Sequence, residues 1–388
     1  MAIEPFKVAI PEAALVDLRT RLANTRWPDQ PSEPAAAGGW NAGTELSYLQ
    51  ELVGYWRSGF DWRRQEALLN TFDNYRTRLQ GVDLHFIHQP GIGPAPMPLL
   101  LSHGWPGSVW EFHKLIPMLT DPARFGGDPA DAFTVIAPSL PGFGFSFRPN
   151  QPRLGTEAVA DAFAELMTDT LRYPRYAAAG GDLGPFYIAR LAHRFPERLH
   201  GIHLTILPFR RNPKKPPTPS PQDQEYQRGL EFMAGETGYS AEQSTKPQTL
   251  AYGLTDSPAG LAAWIVEKFR TWSDCGGDIE SRFSKDELLT NISIYWFTGA
   301  IGSSFWPYYD RAHGAWSMAD MVAKGQRIEV PTAYAVFPKE TLRPSAELVT
   351  QGFNLQRYTR MPAGGHFAAL EEPRLLATDL VEFFRAYR

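Results

Sequence analysis

Short, nearly unbroken apolar runs recur along the middle of the chain, each ending in glycine, proline or a small polar residue. Met97-Pro98-Leu99-Leu100-Leu101-Ser102 leads into His103-Gly104-Trp105-Pro106-Gly107-Ser108, and Phe133-Thr134-Val135-Ile136-Ala137-Pro138 leads into Ser139-Leu140-Pro141-Gly142-Phe143-Gly144-Phe145-Ser146. Residues 173–180 form a third run that ends at Gly180. Residues 186–196 then switch to apolar positions at helical spacing and stop at Pro196. Runs of this kind mark buried strands, and strand, glycine turn and helix in alternation predict a mainly parallel sheet flanked by helices, an α/β architecture. A run at 82–88 predicts the first strand of this core, and one at 328–337 a late strand.

The core pattern breaks off after Pro208. A proline-rich loop at 210–221 follows, and then a mostly helical stretch to about Lys324, clearest at 261–269. The predicted layout has three parts: an N-terminal arm over 1–95, a core over 96–208 and 326–388, and a helical insertion over 209–325. The arm carries Trp/Pro-rich loops and a stretch of Pro, Ala and Gly from Gln30 to Gly43.

Composition narrows the function classes. With 388 residues there is ample chain to bury a core, and a formal net charge of -4 with interspersed signs gives no reason to expect nucleic acid or an anionic membrane as partner. The basic cluster Arg210-Arg211-Asn212-Pro213-Lys214-Lys215 reads as a solvated loop. Cys275, the single cysteine, excludes an intrachain disulfide framework and fits a reducing compartment. No apolar run reaches ~18 residues, and the N-terminus lacks a basic segment followed by an apolar one, so a cytoplasmic protein is expected. No H-E-x-x-H spacing suggests a metal, and Pro141-Gly142-Phe143-Gly144 lacks the third glycine of a dinucleotide fingerprint. Neither a metal nor a cofactor is expected.

The segment Gly180-Gly181-Asp182-Leu183-Gly184 carries the chemistry. It has the small-x-nucleophile-x-small pattern of a strand-to-helix nucleophile elbow, with aspartate where serine is usual. A carboxylate there attacks carbon and becomes an ester of the enzyme. The alternative is a plain turn in which Asp182 caps the helix.

His103-Gly104-Trp105-Pro106, the Pro141-to-Ser146 loop, the aspartate elbow and the distal Gly364-Gly365-His366, taken in this order, resemble the microsomal-type epoxide hydrolases of the α/β-hydrolase superfamily. Phe6-Lys7-Val8-Ala9-Ile10-Pro11, Thr25-Arg26-Trp27-Pro28 and Tyr55-Trp56-Arg57 are similar to the N-terminal segment of that branch. The mammalian relatives begin with a membrane anchor, and this sequence departs from them there. The resemblance makes the insertion a lid and implies hydrolysis of an epoxide to a vicinal diol, with a small-molecule epoxide and water as the partners and a homodimer left open.

It also implies roles. Asp182 is the nucleophile, and His366, in a glycine-rich loop before the C-terminal helix, is the base that activates water. Glu340, in Phe337-Pro338-Lys339-Glu340, orients the histidine, with Asp310 and Asp320 in the insertion as rivals. His85, His88, His113, His193, His200, His203 and His313 read as ordinary exposed residues. Tyr239 and Tyr308 match the two lid tyrosines that donate to the ring oxygen, although Trp306 stands where arginine is common and Tyr309 leaves the second assignment uncertain by one residue. The backbone N–H groups of Trp105 and Leu183 receive the oxyanion, and Trp105, Phe186 and Trp306 wall the substrate pocket.

Two other classes share the scaffold. Haloalkane dehalogenases use an elbow aspartate but follow it with tryptophan, where this chain has Leu183. A non-catalytic binder would have no need of a complete Asp-Glu-His set.

Overall fold

In the computed structural model, which describes residues 2–30, 39–210, 220–314 and 316–388, the strands form one sheet in the order β1-β2-β3-β5-β4-β6-β7-β8-β9. They are β1 (Glu4–Pro5), β2 (Asn74–Leu79), β3 (Val82–Gln89), β4 (Met97–Ser102), β5 (Phe133–Pro138), β6 (Tyr176–Gly180), β7 (Leu199–Leu204), β8 (Ile328–Val336) and β9 (Phe353–Arg360). The pairs from β5 through β4, β6, β7 and β8 to β9 are parallel, and β1, β2 and β3 join antiparallel on the β5 side. Every residue of β5 is buried, as expected for a parallel strand covered on both faces.

The apolar runs and the strands nearly coincide. The third run starts late, at Tyr176, past Pro174, while the following helix starts early, at Gly184. Pro185 sits in the first turn of that helix, where its missing N–H loses no bond. Strands β1, β2, β7 and β9 have no counterpart among the predicted elements. Residues 31–38 of the Pro/Ala/Gly stretch, and all of the basic cluster except Arg210, lie outside the described residues.

Among the described residues, the elements between β7 and β8 are helices, from Pro221–Gly235 to Met318–Ala323. The arm helix Leu46–Ser58 buries Leu49, Leu52, Val53 and Trp56, one stripe at helical spacing, in the same core cluster as the insertion's Leu261, Ile265 and Ile292. Trp56 Nε1 donates to Ser293 Oγ (3.1 Å), Tyr55 Oη to Asp286 Oδ1 (2.9 Å) and Thr44 Oγ1 to the Ala263 carbonyl (2.7 Å). The arm thus extends one side of the sheet and also braces the insertion. No helix among the described residues is long and apolar enough to cross a membrane.

Two histidines expected at the surface are buried. His85, fully enclosed, meets Ser139 Oγ at 2.9 Å and Asn74 Oδ1 at 3.0 Å, and burial pushes its pKa down to about 3, so it stays neutral. His203 Nε2 lies 2.7 Å from Asp379 Oδ2, and Asp379 Oδ1 accepts from Arg357 Nε and Thr359 Oγ1, each at 2.7 Å. Burial opposes the Asp379 charge, but these partners outweigh it and hold the carboxyl well below the usual carboxylate range. A depressed carboxylate adds stability that is complete above its unfolded pKa, near 4, and is lost as the pH falls toward the folded value. Asp379→Asn is therefore expected to cost about 3 kcal/mol at pH 7, and urea titrations repeated below pH ~4 should show the gap from the parent narrowing.

Candidate active site

Asp182, Glu340 and His366 all follow the C-terminal ends of strands in the parallel part of the sheet, where open α/β sheets place their ligands. Asp182 sits between β6 and the helix Gly184–Arg194 with φ of 51°, a left-handed conformation that costs a non-glycine residue energy and marks the sharp elbow. Tight packing forces the turn's composition, since a Cβ on Gly184 would meet the Ser102 carbonyl oxygen of β4 at 2.4 Å. The Asp182 carboxylate does not cap the helix. Its Oδ1 accepts from the Trp105 backbone N–H at 2.7 Å.

The loop that presents this N–H is held from two sides. His103 Nδ1 donates to the Gly104 carbonyl (3.1 Å), which leaves Nε2 to accept from the Leu140 N–H (3.1 Å). From the insertion, Asn291 Nδ2 donates to the Pro106 carbonyl (2.8 Å) and Tyr295 Oη to the Gly107 carbonyl (2.6 Å). Burial pushes the His103 pKa down to about 4, so this clamp carries no charge.

His366 Nδ1 lies 2.9 Å from Glu340 Oε1 and 3.1 Å from Oε2, while Nε2 lies 3.2 Å from Asp182 Oδ2. Both His366 and Glu340 are buried, and Glu340 Oε1 also accepts from the Thr341 N–H (2.7 Å) and hydroxyl (2.9 Å). Burial alone would lower the His366 pKa, but the Glu340 and Asp182 carboxylates together raise it well above the ordinary imidazole value. Neither rival acid reaches the histidine: Asp310 Oδ2 accepts from the Thr156 N–H (2.8 Å), and Asp320 is exposed.

A cavity of about 340 Å³ opens over Asp182 and His366, lined by Tyr239 and Tyr308 and by apolar side chains that include Phe186, Met233, Trp272 and Trp316. The two tyrosine rings are 5.7 Å apart, and Tyr239 stacks on Trp105 at 5.2 Å. Burial, reinforced by the Asp182 charge, raises both phenol pKa values, so both remain neutral donors.

The expected walls need correction. Phe186 lines the cavity, but Trp105 and Trp306 do not. Trp105 is enclosed behind the Tyr239 ring. In the helix Trp306–His313, Trp306, Tyr309 and His313 share one face, with Trp306 stacked on Tyr309 (4.9 Å) and Tyr309 on His313 (4.1 Å). Tyr308 and Arg311 turn to the cavity face instead. Leu183 is buried directly after the elbow. One group the sequence did not flag is Glu111, whose pKa burial and the Asp182 charge push up to about 8.

Comparison with known proteins identifies the family. A family model for the epoxide hydrolase N terminus matches residues 3–112, and one for the alpha/beta hydrolase fold matches residues 97–238. A Stigmatella aurantiaca (strain DW4/3-1) protein that carries an epoxide hydrolase name is 46% identical over 391 residues, covering 100% of this chain and 86% of the relative. Epoxide hydrolase 1 of Oryctolagus cuniculus is 36% identical over 409 residues, covering 98% of this chain and 88% of its own. The solved structure of Aspergillus niger epoxide hydrolase superposes with a TM-score of 0.88 at 30% identity, covering 100% of this chain and 97% of that one. The chain belongs to the epoxide hydrolases of the α/β-hydrolase fold, the branch with the N-terminal epoxide hydrolase segment, and is an enzyme of that class.

Proposed function

We propose that this chain converts an epoxide to a vicinal diol through a covalent ester on Asp182, acting on aryl, lipid or secondary-metabolite epoxides. The observation that carries the reading is one strained carboxylate with a His366–Glu340 pair beside it and two neutral phenols in the same cavity. Asp182 attacks a ring carbon, the carbon–oxygen bond breaks, and the oxygen takes a proton from Tyr239 or Tyr308. In the second step water's oxygen bonds to the ester carbonyl carbon and its proton goes to His366 Nε2. The oxyanion develops on the atom that already accepts from the Trp105 N–H at 2.7 Å, with the Leu183 N–H as second donor. Collapse breaks the bond to the diol oxygen, which recovers the proton from His366, and the acid left on Asp182 returns its own to the tyrosine.

Only the second half-reaction uses His366, and it needs the neutral imidazole. Esterification removes the Asp182 charge 3.2 Å from Nε2, one of the two charges that raise the imidazole pKa, and so shifts the histidine toward that neutral form.

A cavity of about 340 Å³ lies at the small end of ligand sites, which favours epoxides of about the size of styrene oxide. The test is a panel of racemic epoxides with chiral analysis of the diols, and the reading fails if none is turned over above the uncatalysed rate. In the same assay Tyr239→Phe and Tyr308→Phe should each slow ring opening, by less than the ~10²-fold of a sole oxyanion donor because one phenol remains, and the double change by far more. Tyr309→Phe should behave like the parent. A crippled Tyr309→Phe beside a normal Tyr308→Phe would move the donor by one residue.

A further inference from the structure

His366 borders a second cavity of about 30 Å³, room for one or two waters. Its polar lining includes Glu111, Thr205 and His203, and its remaining walls are apolar or backbone, among them Gly180 and Gly181 of the elbow. His203 is buried and its Nδ1 has no hydrogen-bond partner, an unusual condition for an enclosed polar atom and one that a water relieves. Glu111 stands in the one-turn helix Val109–Phe112, and its Oε1 occupies the space that a Cβ on Gly107 would take, 1.3 Å from the ideal position. Glycine at 107 is what lets the carboxyl reach inward. Among the described residues no cation pairs with Glu111.

We infer that Glu111 is a positioning residue for the hydrolytic half-reaction, holding water in this second cavity against His366. The inference rests on the covalent ester proposed above. A water there can meet Glu111, the Thr205 hydroxyl and His203 Nδ1, which gives it the two to four polar partners that a buried water requires. Burial, with the Asp182 charge added, pushes the Glu111 pKa up to about 8, so at neutral pH the carboxyl is mostly protonated and can both donate to water and accept from it. The bond changes are those of the second step: water's oxygen joins the ester carbon, its proton passes to His366, and Glu111 neither gains nor loses a proton over the cycle.

The test separates the half-reactions by stopped-flow fluorescence and quench mass spectrometry with styrene oxide. Glu111→Leu keeps the bulk and removes the polar group. It should form the Asp182 ester within about a factor of two of the parent rate but break it down between ~10- and ~100-fold more slowly. Glu111→Gln, which still donates and accepts, should restore breakdown. Parent-like breakdown in Glu111→Leu overturns the inference, as does an equal loss of both steps in Glu111→Leu and Glu111→Gln. If Glu111→Leu does not fold, Glu111→Asp decides: its shorter carboxyl should slow breakdown selectively, and a parent-like rate overturns the assignment. A parent that yields diol without ever carrying an ester overturns the covalent reading as well. A parent ester with normal breakdown in the variants overturns Glu111 alone.

Discussion

Asp182→Asn is expected to abolish diol formation, by at least ~10⁴-fold, in a protein that remains folded. The carboxamide oxygen can still accept from the Trp105 N–H and the elbow backbone is unchanged, so the loss isolates nucleophilicity from structure. In the parent, a single turnover in water labelled with heavy oxygen should leave the label in the Asp182 carboxyl and not in the diol, because water attacks the ester carbon. The peptide spanning β6 and the following helix should gain the mass of one label. Label found in the first-turnover diol would reject the ester route and leave Asp182 as a base that activates water directly.

His366→Gln should give the opposite phenotype, a protein that is alkylated once and then stops. The amide cannot take the proton from water, and removal of a general base costs between ~10² and ~10⁴-fold in the step that uses it. The substrate-mass adduct should accumulate on the peptide containing Asp182, visible as a burst equal to the enzyme concentration with no steady state. Glu340→Gln should fall between the parent and this variant, since it leaves the imidazole in place but removes the carboxylate 2.9 Å from Nδ1. Unmodified, inactive His366→Gln after long incubation with substrate would show that the histidine is needed for attack as well.

The parts of this molecule legible in the sequence are those where one physical constraint dominates. Strands β4, β5 and β6 are buried on both faces, so their sequences are continuous apolar runs that stand out by periodicity alone. The elbow is legible because glycines crowded around an aspartate at the end of a buried strand suit a sharp, left-handed turn into a helix and little else. Strand β9 is half polar, Phe353-Asn354-Leu355-Gln356-Arg357-Tyr358-Thr359-Arg360, because it ends the sheet and one of its sides is partly wet; its alternation was the available signal. Tyr308 and Tyr309 differ by 100° around a helix whose phase depends on where Phe305 and Pro307 let it begin, which spacing cannot fix. The expected position of Trp306 fails for the same reason. His203 and His85 resemble surface residues in the sequence because the partners that permit their burial, Asp379, Ser139 and Asn74, are distant along the chain or ordinary in type. Glu111 was visible as a lone acid in the apolar segment Val109-Trp110-Glu111-Phe112, four residues after a glycine that its carboxyl turns out to require.

The bracing of the insertion by the arm bears on how this scaffold can be recombined. Trp56, Tyr55 and Thr44 fasten to helices that lie roughly 220 to 240 residues later in the chain, and Asn291 and Tyr295 on one of those helices hold the loop that presents the Trp105 N–H. Arm, insertion and oxyanion loop therefore form a single mechanical unit although three separate stretches of gene encode them. A chimera that imports a relative's substrate cavity by exchanging the insertion alone would strand the Trp56 indole and loosen the amide that receives charge. Exchanging residues 44–58 together with the insertion would carry the whole unit across, and that is the crossover pattern a recombination library on this chain should favour.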